Sequence, residues 1–97
     1  MANPKPPFHQ IAIKRLEELR DQIVKSQHQP VDRFISINRI TEIFELLRRC
    51  HLPQKEVGKI REVIEEVMAR LKNNPPTRHS NVIFREGKAT LTALELA

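Results

Sequence analysis

The sequence predicts a mainly α-helical domain: a three-helix bundle, built from a helical hairpin and an N-terminal helix, followed by a C-terminal β-hairpin. Three observations lead to this prediction. Apolar residues recur at helical spacing along three segments, prolines separate the segments, and the last segment alternates apolar with polar residues. A chain of 97 residues buries about 65% of its surface on folding. We therefore expect a single domain with one modest core.

The first predicted helix covers residues 8–28. Its apolar residues recur every three or four positions, as on one face of a helix. They are Phe8, Ala12, Leu16, Leu19 and Ile23. Pro30 follows and ends the helix. The preceding residues 1–7 contain three prolines and are expected to form a flexible, extended leader.

A second helix is predicted over residues 36–50. Ser36 or Asn38 is its candidate N-cap, with Asp32 as an earlier option. Its apolar residues cover about half of the helix circumference. They are Ile37, Ile40, Ile43, Phe44, Leu46, Leu47 and Cys50. Such a broad stripe has to be covered by neighbours on two sides.

A third helix is predicted over residues 53–72, with Pro53 in its first turn. Its apolar residues follow alternating steps of three and four, the spacing of a packed helix seam. They are Val57, Ile60, Ile64, Val67 and Leu71. Because the connection to the second helix is short, we expect these two helices to pack antiparallel as a helical hairpin. Together, residues 8–72 form the predicted three-helix domain.

Residues 73–97 are predicted to form a linker and a β-hairpin over about 81–94. With a two-residue turn at Glu86 and Gly87, one strand register places most apolar residues on one face. A second interpretation treats residues 90–97 as a short final helix.

The overall composition excludes several classes of protein. Seventeen Lys and Arg oppose twelve Asp and Glu, which gives a net charge of +5. The only cysteine is Cys50, so no internal disulfide forms and a reducing compartment, cytoplasmic or nuclear, is expected. No apolar run reaches the ~18 residues of a membrane span. The sequence therefore predicts no membrane association.

Catalysis is poorly supported by the sequence. Cys50 and His51 are adjacent, and neighbouring residues on a helix point about 100° apart, so they do not face each other. The four histidines lack zinc-ligand spacing, and the two glycines form no phosphate-binding loop. We expect no catalytic residue, no metal, no cofactor and no small-molecule substrate.

Basic residues cluster where the second helix meets the third. Lys and Arg attract phosphate groups, and the N-terminus of the third helix offers free N–H groups. The cluster consists of Arg48, Arg49, Lys55, Lys59 and Arg61. A simpler interpretation remains open, because basic residues favour the C-terminal dipole of a helix and keep surfaces solvated.

This bend resembles the DNA-reading helix-turn-helix in its apolar positions. Those positions are Leu46, Cys50, Leu52, Val57 and Ile60. The sequence departs from the pattern at Leu47, where a small residue is usual, and at His51, where glycine is usual. The resemblance implies that four residues lie toward the major groove: Gln54, Lys55, Gly58 and Lys59. The β-hairpin would then resemble a wing, with Arg85 and Lys88 at its tip.

Two functions follow as hypotheses. The first is a small, basic, non-enzymatic regulator that binds duplex DNA; the absence of Trp and Tyr argues against stacking on single strands. Its predicted contacts are Arg48, Arg49, Gln54, Lys55, Lys59, Arg61, Arg85 and Lys88. The alternative is a protein-interaction module, either a homo-oligomeric helical adaptor or a chaperone-like protein. Because the core is small, a homodimer with Ile37 and Phe44 at its interface is also expected.

Overall fold

The computed structural model describes residues 8–96. Within them it contains four α-helices, α1 (Phe8–Lys25), α2 (Ile37–Arg49), α3 (Gln54–Leu71) and α4 (Arg78–Leu96). A short 3₁₀ helix, Val31–Arg33, lies between α1 and α2. The predicted flexible leader, residues 1–7, lies outside the described residues.

The three predicted helices are present, each with slightly shorter ends. α1 stops at Lys25 because the chain turns at Ser26–His28. His28 has a φ of 71°, which a right-handed helix does not permit. At the start of α2, the Ser36 hydroxyl accepts a 3.2 Å hydrogen bond from the Arg39 N–H, so Ser36 is the N-cap.

The predicted C-terminal β-hairpin is wrong, because residues 78–96 form α4 and no strand occurs in residues 8–96. The buried residues of α4 follow steps of three and four, a helical period that the strand-like alternation obscured. They are Ser80, Ile83, Gly87, Thr90 and Leu94, and Val82 near the start of the helix is buried as well. The second interpretation, a final helix from residue 90, is closer, but the helix begins at Arg78.

The start and the middle of α4 explain why the segment is helical. The Thr77 hydroxyl accepts a 3.2 Å hydrogen bond from the Ser80 N–H, as an N-cap residue does. Gly87, predicted as a turn residue, is instead buried against α3. A Cβ atom at Gly87 would lie 3.1 Å from the Met68 Sδ. The glycine therefore permits close approach of two helices.

The predicted helical hairpin of α2 and α3 is also wrong. Both α1 and α4 pack against α2, and both also pack against α3. This arrangement is a four-helix bundle in which α2 and α3, although joined by a short connection, lie diagonally opposite each other. The reason is α4. In a three-helix bundle α1 and α3 would cover the two apolar sides of α2, whereas here α1 covers one side and α4 covers the other.

The ends of α1 and α3 meet at Asn74. Its side-chain amide nitrogen donates hydrogen bonds to the Ser26 carbonyl at 3.0 Å and to the Gln29 carbonyl at 2.8 Å. Lys59 approaches Glu17 farther along the same two helices, so α1 and α3 run parallel. These contacts fix the two loops at one end of the bundle.

Gly58 provides a test of the helix assignment. It is exposed within α3, and a Cβ atom there would meet no atom within 4 Å. We expect Gly58→Ala to raise the free energy of unfolding by about 0.5–1 kcal/mol, because alanine lowers the entropy lost on helix formation. Urea denaturation measures this. Gly87→Ala is the comparison and should raise the free energy of unfolding by less, because its new methyl group presses on Met68. An equal increase for both variants would contradict the packing of α4 against α3.

Candidate nucleic-acid interface

Arg48, the first residue of the predicted basic cluster, is held inside the bundle. Its Nη2 donates to the Glu86 carboxylate at 3.0 Å, and its Nη1 donates to the Thr90 hydroxyl at 3.0 Å. The Thr90 hydroxyl in turn donates to the Glu86 carbonyl at 2.8 Å. The Arg48 and Glu86 side chains are only 25% and 14% exposed. Arg48 therefore joins α2 to α4, and two of its donors are occupied by residues of its own chain.

Two other cations of the cluster have acidic neighbours. The Lys59 Nζ lies 4.0 Å from the Glu17 Oε2, and the Arg61 Nη2 lies 3.5 Å from the Glu95 Oε1. Both pairs are largely exposed, so each is weak, but each reduces the local positive charge. The remaining predicted contacts at the bend, Arg49, Gln54 and Lys55, are exposed.

The bend also differs in geometry from the motif that it resembles. In a helix-turn-helix unit the two helices form a packed pair, whereas α2 and α3 each pack mainly on α1 and α4. The predicted β-hairpin wing, with Arg85 and Lys88 at its tip, is not formed, because these residues belong to α4.

Arg85 and Lys88 instead lie on the outer face of α4. Both are exposed, as is Arg78 one heptad before Arg85, and none of the ion pairs within residues 8–96 involves any of the three. Polar Asn81 and Thr92 share this face. We call these residues the α4 stripe: Arg78, Asn81, Arg85, Lys88 and Thr92.

From Arg78 to Thr92 the α4 stripe itself contains no exposed carboxylate, and the nearest exposed ones are Glu65 on α3, which lines a groove with Lys88, and Glu95 at the next turn of α4. Glu86 is the only acidic residue between Arg78 and Thr92, and its carboxylate is occupied by Arg48. The outer face of α1 is different, because exposed Lys14, Glu18, Asp21 and Lys25 mix both signs. A mixed face of this kind is typical of a solvated surface.

Sequence reasoning missed Arg78, Asn81 and Thr92 as contacts. Arg78 fell in the predicted linker, and only a helix places it on one face with Arg85. Asn81 and Thr92 share a face with Arg85 and Lys88 in the predicted hairpin as well, but as uncharged residues they were not assigned as contacts. The available signal was the seven-residue spacing from Arg78 to Arg85, with Lys88 three residues further on.

Cys50 lies beside a crevice of about 250 Å³ at the end of α2, where Leu52 and Val57 contribute apolar lining. Burial raises the pKa of the Cys50 thiol, and a backbone hydrogen bond offsets part of this effect. A raised pKa favours the protonated thiol over the thiolate, which is the reactive form. In the part of the chain that the structure describes, no three His, Cys, Asp or Glu side chains converge as metal ligands do.

The two residues predicted at a dimer interface occupy different environments. Phe44 is fully buried in the core of its own chain, whereas Ile37 is half-buried. Phe44 consequently presents no surface to a second copy.

Among residues 8–96, no helix combines the length and the apolar character that crossing a membrane requires. Comparison of the chain with protein-family models, curated proteins and solved structures finds no significant match.

Proposed function

We propose that this protein is a non-enzymatic regulator that binds duplex DNA through the α4 stripe. The observation that supports this most is the exposure of three unpaired cations, Arg78, Arg85 and Lys88, on one helix face that has no exposed carboxylate from Arg78 to Thr92. Such cations displace counterions from phosphates, which is the main source of sequence-independent affinity for DNA.

The dimensions and side chains of the stripe suit a duplex. An α-helix fits the major groove, which is about 12 Å wide. From Arg78 to Lys88 the stripe extends about 15 Å along the helix axis. Arginine binds guanine edges and asparagine binds adenine edges in this groove. Asn81, exposed between Arg78 and Arg85, is the residue that we assign to base choice.

In this proposal the bend has a secondary role. Arg49 and Lys55 are exposed and add to the electrostatic attraction. Arg48 stabilises the position of α4 through its ion pair with Glu86. The proposed compartment is cytoplasmic or nuclear, because a lone cysteine suits a reducing environment and DNA is found there.

The test is a salt titration of binding, measured by fluorescence anisotropy with a short labelled duplex between about 50 and 200 mM salt. For the wild type, log Kd changes linearly with log salt. Arg78→Ala/Arg85→Ala removes two phosphate contacts, so we expect weaker binding to all sequences. The magnitude of the slope should fall by about 2.

Two control variants remove the same net charge elsewhere. Lys14→Ala/Lys25→Ala, on the mixed face of α1, should leave the slope unchanged, and Arg49→Ala/Lys55→Ala should reduce it less than the α4 variant does. A wild type that binds no duplex contradicts the proposal. If the bend variant has the largest effect, the interface lies at the bend and not on α4.

A further inference from the structure

A shallow apolar groove of about 400 Å³ lies between α3 and α4. Met68, Phe84 and Leu91 are half-buried in it, and Ala69 is exposed at its edge. The two helices approach closely here because Gly87 faces Met68. The groove therefore combines an aromatic ring, a thioether and a leucine that the chain itself covers only in part.

Opposite charges lie at the two ends of this groove on α3. Glu65 and Lys72 are both exposed and line the groove, and Lys88 lines it from the α4 side. Glu65 and Lys72 are two helical turns apart, about 10.5 Å, with Ala69 between them. Neither takes part in any ion pair formed among residues 8–96.

We propose that this groove is the interface of a homodimer. A two-fold axis that passes near Ala69 makes the α3 helices of the two copies antiparallel. Glu65 of each copy then meets Lys72 of the other, and the small Ala69 side chain lets the helices approach. The partner is a second copy because the groove carries one acidic and one basic residue on α3. When a two-fold axis turns one copy over, each of these residues meets the opposite charge on the other copy, as an isologous interface requires.

The apolar residues supply the attraction in this dimer, and the charges set its orientation. Pairing covers Met68 and Phe84, which are half-exposed in the single chain. Arg78 and Arg85 lie on a different face of α4 from Phe84 and Leu91, so they remain exposed in the dimer, whereas Lys88 lines the groove and lies at the edge of the interface. This interface differs from the one that the sequence suggested, because Phe44 is in the core.

Charge reversal tests the interface without altering the core. Glu65→Lys leaves a lysine at both ends of the groove on α3, and Lys72→Glu leaves a glutamate at both ends. By sedimentation equilibrium we expect a dimeric wild type. Each variant alone should show a dimer dissociation constant raised by about tenfold or more, because two attractive pairs become repulsive. An equimolar mixture of the two variants should restore the dimer, because the charges at the ends of the two grooves are then complementary.

Glu18→Lys, the same charge change on α1, is the control and should dimerise as the wild type does. Circular dichroism checks that every variant remains helical. A wild type that is monomeric at its highest soluble concentration overturns the proposal. So does a mixture of Glu65→Lys with Lys72→Glu that stays monomeric, or single variants that dimerise as tightly as the wild type.

Discussion

Phe44→Ala is expected to lower the free energy of unfolding by about 3–5 kcal/mol, the usual cost of removing a buried aromatic ring. Phe44 is fully buried on α2, the helix that both α1 and α4 cover. Its loss opens a cavity that several helices border. Because domains of this size have only about 5–15 kcal/mol of stability, urea denaturation should show a large fall in the midpoint.

Phe8→Ala is the matched control, since the Phe8 side chain is 57% exposed and its truncation should change stability by less than about 0.5 kcal/mol. If Phe44→Ala leaves no foldable protein, Phe44→Leu gives a smaller loss that can be measured. A loss below about 1 kcal/mol for Phe44→Ala, together with a shift in oligomeric state, would instead place Phe44 at an interface.

Arg48→Leu is expected to lower the free energy of unfolding by about 1–3 kcal/mol. The substitution removes both donors that Arg48 directs at α4, and it leaves the mostly buried Glu86 carboxylate without its cation. An ionised group that loses its partner in a partly buried site retains the cost of desolvation. Chemical denaturation at neutral pH measures the loss.

Arg61→Leu provides the comparison, because its partner Glu95 is 61% exposed and an exposed pair contributes at most about 1 kcal/mol. The double variant Arg48→Leu/Glu86→Leu should recover part of the loss, since it removes the unpaired carboxylate as well. If Arg48→Leu has no larger effect than Arg61→Leu, the contact between α2 and α4 is not a stabilising one.

Three of the four helices could be predicted because their buried faces consist of large aliphatic side chains at helical spacing. In α3, for example, Ile60, Ile64 and Val67 are all buried, and the period is clear from the sequence. α4 could not be predicted in the same way. Its buried face includes Ser80, Gly87 and Thr90, which hydropathy counts as polar or turn residues and which the fold uses for capping, close packing and the contact with Arg48.

The candidate site depended on the same segment. The sequence identified the exposed residues Arg49, Lys55, Arg85 and Lys88. Counting charges could not show that Arg48 forms an ion pair with Glu86, which is 38 positions away. Pairing between distant residues is a property of the packed helices. For this reason the predicted centre of positive charge at the bend becomes a weaker candidate than the outer face of α4.

The most direct test of DNA binding by α4 is a titration of ¹⁵N-labelled protein with a short duplex, followed by amide chemical shifts at low and high salt. The proposal predicts that the largest changes fall between Arg78 and Thr92 and decline as salt rises. The amides of α1 between Lys14 and Lys25 should change little. Changes concentrated between Arg49 and Lys59, or no change anywhere on addition of duplex, would contradict the assignment of the α4 stripe as the DNA-binding surface.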